Sequence, residues 1–276
     1  SPWGVGFPGW HIECSAMSTK YLGEQFDVHG GGMDLQATHH TNEIAQNIAY
    51  CGKSPANYWL HTNMLTVNGQ KMSKSLGNSF LPMELFTGDH PLLKKGFSPM
   101  AVRFFMMQTH YRSTLDFSND ALEAAEKAYN RLMESYKTLQ TLKASATSTE
   151  NVETIERACY DAMNDDFNTP VLIAHLFDAI RMINSANDKK ASLTQADIYL
   201  LNTIYQHFVF DIMGLKKEEE TGKANTALEG VMQLVLDLRD KAKANKDFAT
   251  SDEIRNKLTS SNIQVKDSKE GTTWSI

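Results

Sequence analysis

The sequence predicts an α/β domain, then a helical bundle, then a small mixed α/β tail. In residues 1–80, the apolar stretch Phe26–His29 runs into glycines and is followed by a helical pattern, an order typical of α/β domains. From Ser118 onward, apolar side chains recur three and four positions apart, which predicts amphipathic helices packed as a bundle. The last residues resemble two short strands joined by a turn at Gly271.

The first domain is expected to cover residues 1–80. Phe26–His29 forms its first strand, and the glycines that follow predict a tight loop. A helix then runs from Thr38 to about Tyr50, because threonine is a common helix-capping residue. Two further strands precede a turn at Asn68-Gly69, a pair typical of hairpins. These two strands are Tyr58–His61 and Met64–Val67.

The remaining chain divides by composition. A connecting region is expected at residues 81–120, and the helical bundle at 121–215. The charged stretch 216–225 has no apolar periodicity and is predicted to be a linker. Residues 226–276 form the small α/β tail. Helix starts are marked by residues typical of N-termini, namely Ser98-Pro99, Ser118, Thr169-Pro170 and Thr194 with Asp197.

The composition excludes several classes of protein. A net charge of −6 excludes a globally basic nucleic-acid-binding protein and leaves only local basic patches. Three widely spaced cysteines do not suit a disulfide framework and favour a reducing, cytoplasmic compartment. No apolar run is long enough to span a bilayer. The chain opens without a methionine, in what reads as mid-loop, so we expect a piece of a longer protein.

Cys14, His39 and Glu43 are candidate metal ligands. His39 and Glu43 are four residues apart on the predicted helix and therefore face the same way. With Cys14 they offer sulfur, nitrogen and oxygen donors, one short of a tetrahedral zinc set. The alternative is a structural role, with Cys14 as a small buried apolar residue and His39 as a histidine on the helix surface.

The stretch His29–Asp34 is a candidate ligand-binding segment. Glycines after a strand, Gly30 and Gly31 among them, let a ligand approach the backbone. Asp34 can accept hydrogen bonds from sugar hydroxyls. The alternative is a tight turn in which Asp34 caps the next helix.

The sequence KMSKS, Lys71–Ser75, is a candidate phosphate-binding loop. Two ammonium groups, on Lys71 and Lys74, lie three residues apart beside the hydroxyls of Ser73 and Ser75. Such groups suit phosphate oxygens. The alternative is a solvated surface turn.

These three features occur in order within residues 1–80, and together they resemble a known family. KMSKS resembles the second signature of class I aminoacyl-tRNA synthetases. GWHIECSAM, FDVHGGGMDL, HHTNEIAQ and KMSKSLGN together resemble cysteinyl-tRNA synthetase, as do MNDDFNTPVLIAHLF in the bundle and ANKDFATSDEIRNKL and EGTTW in the tail. The resemblance covers nearly the whole chain. It implies the C-terminal half of a class I Rossmann-like catalytic domain, a DALR-like helical bundle on the anticodon side, and a small anticodon-binding tail.

In this family a zinc ion holds the thiolate of the substrate cysteine and so selects it over serine. The match assigns Cys14, His39 and Glu43 as ligands of one zinc ion per subunit, and the family's first ligand cysteine is absent. Trp10 would wall the amino-acid pocket. The residues assigned to the substrate and the adenosine ribose are Trp10, His29, Gly30, Gly31 and Asp34.

The resemblance also implies ATP, with Mg²⁺, as a substrate. Lys71 and Lys74 would stabilise the negative charge that builds on the phosphoryl oxygens as pyrophosphate leaves, and Ser73 and Ser75 would complete the loop. The complete enzyme would be a monomer that joins cysteine to tRNA(Cys). Because the HIGH-like signature and one zinc ligand are absent, this chain alone is predicted to be inactive and to hold zinc weakly.

Contacts with tRNA are expected in the tail. Arg239, Arg255 and Trp274 are candidates, because unpaired bases are bound by stacking and by hydrogen bonds at their edges. The alternative for each is a solvated helix face or a core tryptophan. Two other functions stay open, a non-catalytic tRNA-binding or regulatory module and a related cysteine ligase that acts on an amino sugar. The bundle and the tail argue against the second.

Overall fold

The computed structural model describes residue 2 and residues 4–216, 221–245, 247–260, 263–268 and 271–275. The chain divides into two compact units, Ser1–Lys216 and Lys217–Ile276. The first unit contains a mixed α/β part followed by helices, as the sequence predicts. None of the described helices has the length and apolar character needed to cross a membrane.

A two-stranded parallel sheet opens the α/β part. Its strands are β1 (Phe26–Gly32) and β2 (Ala56–Thr62). Parallel neighbours need a long crossover connection, and here that connection is helical. It consists of a short helix α2 (Met33–Leu35), a π-helical segment (Gln36–His40) and α3 (Thr41–Cys51). The helix that precedes β1, α1 (Trp10–Leu22), lies against α3.

Two predictions for this region are wrong. The glycines after His29 continue β1 as a strand, with no positive φ, instead of forming a tight loop. The helix begins at Met33, and Thr38 lies inside the π-helical segment instead of capping a helix. The physical reason is space, because a Cβ atom on Gly31 would lie 2.7 Å from the ring of His40. Glycine serves a close approach at this position and not a turn.

A second sheet, of three strands, carries the KMSKS loop. β3 (Leu65–Val67) is central, antiparallel to β4 (Gln70–Lys71) and parallel to β5 (Leu115–Phe117). The turn between β3 and β4 lies at Asn68-Gly69, as predicted. Both turn residues have positive φ, 51° and 74°, which two-residue hairpin turns of the favoured type require.

Helices make up the rest of the first unit. Five of them begin at a side chain that accepts a backbone N–H, and these caps are Ser98, Ser118, Asn151, Asn168 and Thr194. The predicted reciprocal pair of Thr194 and Asp197 is present, with the Asp197 carboxylate accepting from the Thr194 N–H at 2.8 Å. The helices are α4 (Pro82–Thr87), α5 (Pro99–Met107), α6 (Asn119–Leu139), α7 (Val152–Asn164), α8 (Thr169–Asn187) and α9 (Gln195–Ile204), which continues as a π-helical segment (Tyr205–Ile212).

One apolar core joins the second sheet to the bundle. Val67 of β3 and Phe117 of β5 belong to the same buried cluster as Leu132 of α6 and Leu176 of α8. Burying one such side chain contributes about 1.5–3 kcal/mol to stability. The strands that flank the KMSKS loop are therefore fixed by the packing of the helices.

The second unit consists of two helices and a hairpin. α10 (Thr221–Ala244) begins inside the stretch 216–225 that the sequence predicts to be a linker, so that prediction is wrong from Thr221 onward. Residues 217–220 of that stretch lie outside the described residues. A segment without an apolar stripe is not expected to be a buried helix, but its backbone can still adopt the helical conformation. The other elements are α11 (Phe248–Ser260) and the antiparallel strands β6 (Gln264–Ser268) and β7 (Gly271–Ser275).

Cys159 on α7 provides a chemical test of this packing. Its side chain is fully buried, and burial, then the charge of Glu156, raises the pKa of its thiol to about 12. Because the thiolate is the reactive form, we expect iodoacetamide to modify the partly exposed Cys51 in the native protein and to leave Cys159 unmodified. Mass spectrometry of the digested protein measures both, with protein unfolded in guanidinium chloride as the control. Equal modification of the two thiols in the native state would contradict the packing.

Candidate functional site

The three predicted metal ligands meet in the first unit. Cys14 comes from α1, His39 from the π-helical segment and Glu43 from the first turn of α3. Their sulfur, nitrogen and carboxylate oxygen atoms all lie within 4.8 Å of one another. The packing of α1 on α3 makes this possible, and the hydroxyl of Ser15 donates to Oε1 of Gln46 across that contact at 2.7 Å.

The carboxylate of Glu43 is the centre of the group. Its side chain is 1% exposed, with Nε2 of His39 2.8 Å from one oxygen and Nε2 of His29 2.8 Å from the other. His29, His40 and Glu43 form a second set of donors close enough to share one ion. The sequence assigned His29 to the substrate and the ribose, whereas the structure places its ring against Glu43.

The surroundings of Glu43 fit a bound cation. Both of its oxygens and Nε2 of His29 are buried, and their 2.8 Å contacts do not have the geometry of hydrogen bonds. A buried carboxylate without hydrogen bonds is costly, and it normally pairs with a charge or coordinates a metal. Zn²⁺ accepts thiolate, imidazole and carboxylate ligands, so the donors of Cys14, His39 and Glu43 suit this ion.

The thiol of Cys14 responds to the same surroundings. Burial, then the negative charges of Glu43 and Glu13, raises its pKa. The free thiol therefore holds its proton, whereas a cysteine ligand binds zinc as the thiolate. Uptake of a metal ion would release that proton.

A cluster of rings beside Glu43 was missed by the sequence reasoning. His40 is 3% exposed, and its Nδ1 lies 2.8 Å from Nε2 of His61 on β2. The ring of Trp59 lies 5.0 Å from that of His40 and 4.9 Å from that of His29. Burial, then His29, His61 and His39, lowers the pKa of His40 to about 4, so its ring is neutral at pH 7.

The signal that could have revealed this cluster is strand pairing. His40 has Ile44 four residues on and therefore has no second ligand on its own helix. Its partner comes from β2, where His61 stands opposite Gly31 in the register of the sheet. That register depends on the crossover between the strands, which no local pattern specifies.

A pocket of about 510 Å³ adjoins the ring cluster. This volume lies in the range of sites for small ligands. Among the described residues that line it, Arg112 alone carries a permanent positive charge. The full lining is Met33, Gln36, His40, Thr41, Ile44, Trp59, His61 and Arg112.

Three other predicted residues do not line this pocket. Trp10, at the start of α1, is 77% exposed. Gly30 of β1 and Asp34 of α2 are also exposed. The tryptophan whose ring contacts His29, beside Glu43, is Trp59.

The KMSKS loop is closed by a buried amide that the sequence reasoning did not single out. Asn78, which is 7% exposed, accepts from the N–H of Ser73 at 2.8 Å and donates to the carbonyl of Lys71 at 3.1 Å. One side chain thereby bridges the first and third residues of the loop. The amide follows the loop directly in KMSKSLGN, so its position could have been noticed in the sequence.

The lysines of this loop are presented on a short turn. The hydroxyl of Ser73 caps a 3₁₀ turn at Lys74–Leu76 and lies 3.1 Å from the hydroxyl of Ser75. Neither Lys71 nor Lys74 forms an ion pair within the part of the chain that the structure describes. Both ammonium groups are therefore available to an anion. The described residues provide no hydrogen bond or ion pair between this loop and the candidate metal ligands.

The predicted tRNA contacts in the tail differ in exposure. Arg239 is 2% exposed, which is at odds with a surface contact to RNA. Arg255 pairs with Asp252 at 3.0 Å on the same helix, and the side chain of Arg255 is 48% exposed. Trp274 of β7 is half-buried and stands opposite Val265 of β6. Charge pattern alone does not tell which face of a helix is covered, which is why Arg239 was misassigned.

Comparisons with known proteins match two parts of the chain. Residues 1–127 match the model of the tRNA synthetases class I (C) catalytic domain, and residues 158–215 match the DALR domain. A cysteine–tRNA ligase of Parabacteroides distasonis is 53% identical over the whole chain, and one of Bacteroides fragilis is 50% identical. A cysteine–tRNA ligase of Chlorobaculum tepidum is 45% identical. The chain spans 56% of the length of each of these relatives.

Gly31 offers a test of the ring cluster. An added Cβ would lie 2.7 Å from Cε1 of His40, whose ring is held by His61, so we expect Gly31→Ala to lower the free energy of unfolding by about 1–3 kcal/mol. Chemical unfolding measures the change. The matched control is Gly30→Ala, where the new methyl meets only the carbonyl of Leu60 at 3.5 Å. Equal stability of the two variants would count against the close approach at Gly31.

Proposed function

Because the chain belongs to the cysteine–tRNA ligase family of class I tRNA synthetases, we propose that it takes part in joining cysteine to tRNA(Cys) with ATP. The chain corresponds to 56% of the length of its relatives, so the complete reaction is assigned to the full-length gene product. The 276-residue chain alone is proposed to be inactive. Of the alternatives from the sequence, neither a regulatory module nor an amino-sugar ligase gains support from the relatives.

The observation that carries the proposal is the buried Glu43 carboxylate among Cys14, His29 and His39. Cys14, His39 and Glu43 would hold one zinc ion per subunit. When bound, zinc would supply a borderline-soft site that prefers a thiolate to a hydroxyl, which accounts for selection of cysteine over serine. With three protein ligands this chain is proposed to bind zinc only weakly.

The ring cluster would shape the amino-acid site. A neutral His40, held by His61, does not repel a cation near Glu43 as an imidazolium would. Trp59 and His40 present ring surface to the pocket. These side chains would exclude water from the thiol-binding position, which strengthens the electrostatic interactions there.

The KMSKS loop would act on ATP, taken with Mg²⁺. As the cysteine carboxylate attacks the α-phosphorus and pyrophosphate leaves, charge builds on the phosphoryl oxygens. Lys71 and Lys74 would stabilise that charge, and the Asn78 bridge would hold the loop that presents them. Ser73 and Ser75 would complete the phosphate contacts.

The helices would bind the nucleic acid. The DALR match lies on α7–α9, and Arg255 and Trp274 remain the candidate contacts in the tail. We place the protein in the cytoplasm, in line with its three unpaired cysteines, and propose that the complete enzyme is a monomer.

Zinc binding provides the first test. We expect the 276-residue chain to bind one Zn²⁺ weakly enough for a chelator to remove it, because one ligand of a tetrahedral set is missing. Cys14→Ser and Glu43→Gln should weaken binding by at least the roughly 10- to 100-fold that loss of an outer-shell partner costs. Competition with a chromophoric chelator measures the affinity.

The matched control for zinc binding is Cys51→Ser. Cys51 donates to the carbonyl of Asn47 on α3 and belongs to neither donor set. We expect this variant to bind zinc as the wild type does. Stoichiometric zinc that resists the chelator would contradict weak binding, and equal loss in Cys51→Ser would contradict the assigned ligands.

Lys74 provides a second test, in the full-length gene product. We expect Lys74→Ala to slow ATP–pyrophosphate exchange by about 10²–10³-fold, the usual cost of one group that stabilises a transition-state charge. Zinc affinity should not change. The control is Lys53→Ala, which removes an exposed lysine paired with Glu24 on the surface. Unchanged exchange in Lys74→Ala would remove this lysine from the phosphate site.

A further inference from the structure

The segment His110–Arg112 joins the pocket to the helical bundle. On one side, the N–H of Asn63, after β2, donates to the carbonyl of Tyr111 at 2.9 Å, and Nδ2 of Asn63 donates to the carbonyl of Arg112 at 2.8 Å. On the other side, the hydroxyl of Tyr111 donates to Oδ1 of Asp166 at 2.6 Å. Asp166 lies in the connection between α7 and α8.

The α7–α8 connection has an unusual backbone. Asp166 and Phe167 both have positive φ, 56° and 55°, although neither is glycine. Consecutive residues of this kind are uncommon and persist only where the surroundings fix them. Here the fixing contacts are the Tyr111 hydroxyl, Nε2 of His110 on the Asp166 carbonyl at 3.2 Å, and Nε of Arg112 on Oδ2 at 2.7 Å.

The guanidinium of Arg112 is held at Nε and lies over the ring of Tyr111, with its Cζ 5.7 Å from the ring centroid. Its Nε contacts the Asp166 carboxylate at 2.7 Å and donates to the Tyr111 hydroxyl at 3.2 Å. The closest ion-pair contact and the hydrogen bond of the guanidinium both use Nε, and no hydrogen bond among the described residues involves its two terminal nitrogens. The Tyr111 hydroxyl, then the charge of Arg112, holds the pKa of Asp166 below its usual range, so the supporting carboxylate is ionised.

Arg112 is largely exposed and is one of the residues that line the pocket. Arg112 lines the pocket together with His40, Trp59 and His61, and its side chain is 62% exposed. A guanidinium with two free, coplanar nitrogens is suited to two parallel hydrogen bonds with an oxyanion. Its support comes from Asp166, a residue of the helical bundle, 54 positions away in sequence.

We propose that Arg112 binds a phosphate group at the pocket with its two terminal nitrogens, and that Asp166 of the α7–α8 connection is the positioning residue that orients it. This proposal rests on the proposed function, which supplies two sources of phosphate. One is the α-phosphate of ATP or of the aminoacyl adenylate, and the other is a phosphodiester of the tRNA near its acceptor end. In both cases the bundle sets the orientation of Arg112, the one permanently charged cation among the described residues that line the pocket.

The test uses the full-length gene product in two assays, ATP–pyrophosphate exchange without tRNA and transfer of cysteine to tRNA. Loss of a hydrogen bond to a charged group corresponds to about 10- to 150-fold in rate. We expect Arg112→Ala to lower kcat/KM by such a factor. A loss in exchange identifies the nucleotide phosphate, and a loss confined to transfer with a raised KM for tRNA identifies the tRNA phosphate.

A double-mutant cycle separates positioning from a structural role. Asp166→Asn should weaken the same assay as Arg112→Ala, by a smaller factor, because the guanidinium keeps its charge and loses its orientation. The double variant should be no slower than Arg112→Ala alone, since the two residues act as one unit. Independent, multiplicative losses would show that Asp166 only supports the fold, and would overturn the positioning role.

Four controls keep the outcomes distinct. Arg112→Lys keeps the positive charge but lacks the paired terminal nitrogens, so we expect its kcat/KM to lie between those of the wild type and Arg112→Ala. Added guanidinium ion should partly restore the kcat/KM of Arg112→Ala. Arg157→Ala, an exposed arginine on α7, should leave exchange unchanged. Thermal unfolding confirms that each variant is folded. An active wild type with an unaffected Arg112→Ala overturns this inference alone, whereas a wild type inactive in both assays overturns the proposed function and this inference together.

Discussion

The buried carboxylate of Glu43 is the constraint around which the α/β part is arranged. A carboxylate that is 1% exposed and lacks hydrogen bonds is costly unless positive charge or a metal ion reaches it. Three elements converge on it, with His29 from β1, His39 from the π-helical segment and Cys14 from α1. Each of these residues reaches the carboxylate through a feature described above. These features are the glycine-rich strand β1, the π-helical segment and the packing of α1 on α3.

The second sheet is tied to the bundle through a shared apolar core. Val67 and Phe117 pack in the same apolar cluster as Leu132 and Leu176. A second connection is polar and runs through Tyr111 to Asp166. Helices that belong to the domain matched as DALR therefore support both the KMSKS loop and the charged group of the pocket.

Local signals in the sequence predicted much of this fold, but they did not predict which residues far apart in the sequence lie close together in the structure. Helix caps at Ser98, Ser118 and Thr194 and the turn at Asn68-Gly69 were predicted because each depends on a few adjacent residues. The convergence of Cys14 with His39 and Glu43 was proposed from ligand chemistry and resemblance. The placement of His29, Trp59 and His61 depends on the register of two parallel strands, which no local pattern encodes. For the same reason the three glycines were taken for a loop.

The number of residues in the π-helical segment Gln36–His40 determines how α3, which follows it, is rotated about its axis relative to β1. A helix advances about 100° per residue, so loss of one residue from this segment would rotate α3 by that angle relative to β1. His39 and Glu43 would stay together on their helix, but Glu43 would turn away from His29 and from the strand. A point substitution in this segment therefore disturbs the site less than an insertion or a deletion does. The length of the segment is as important to the site as the identity of its ligands.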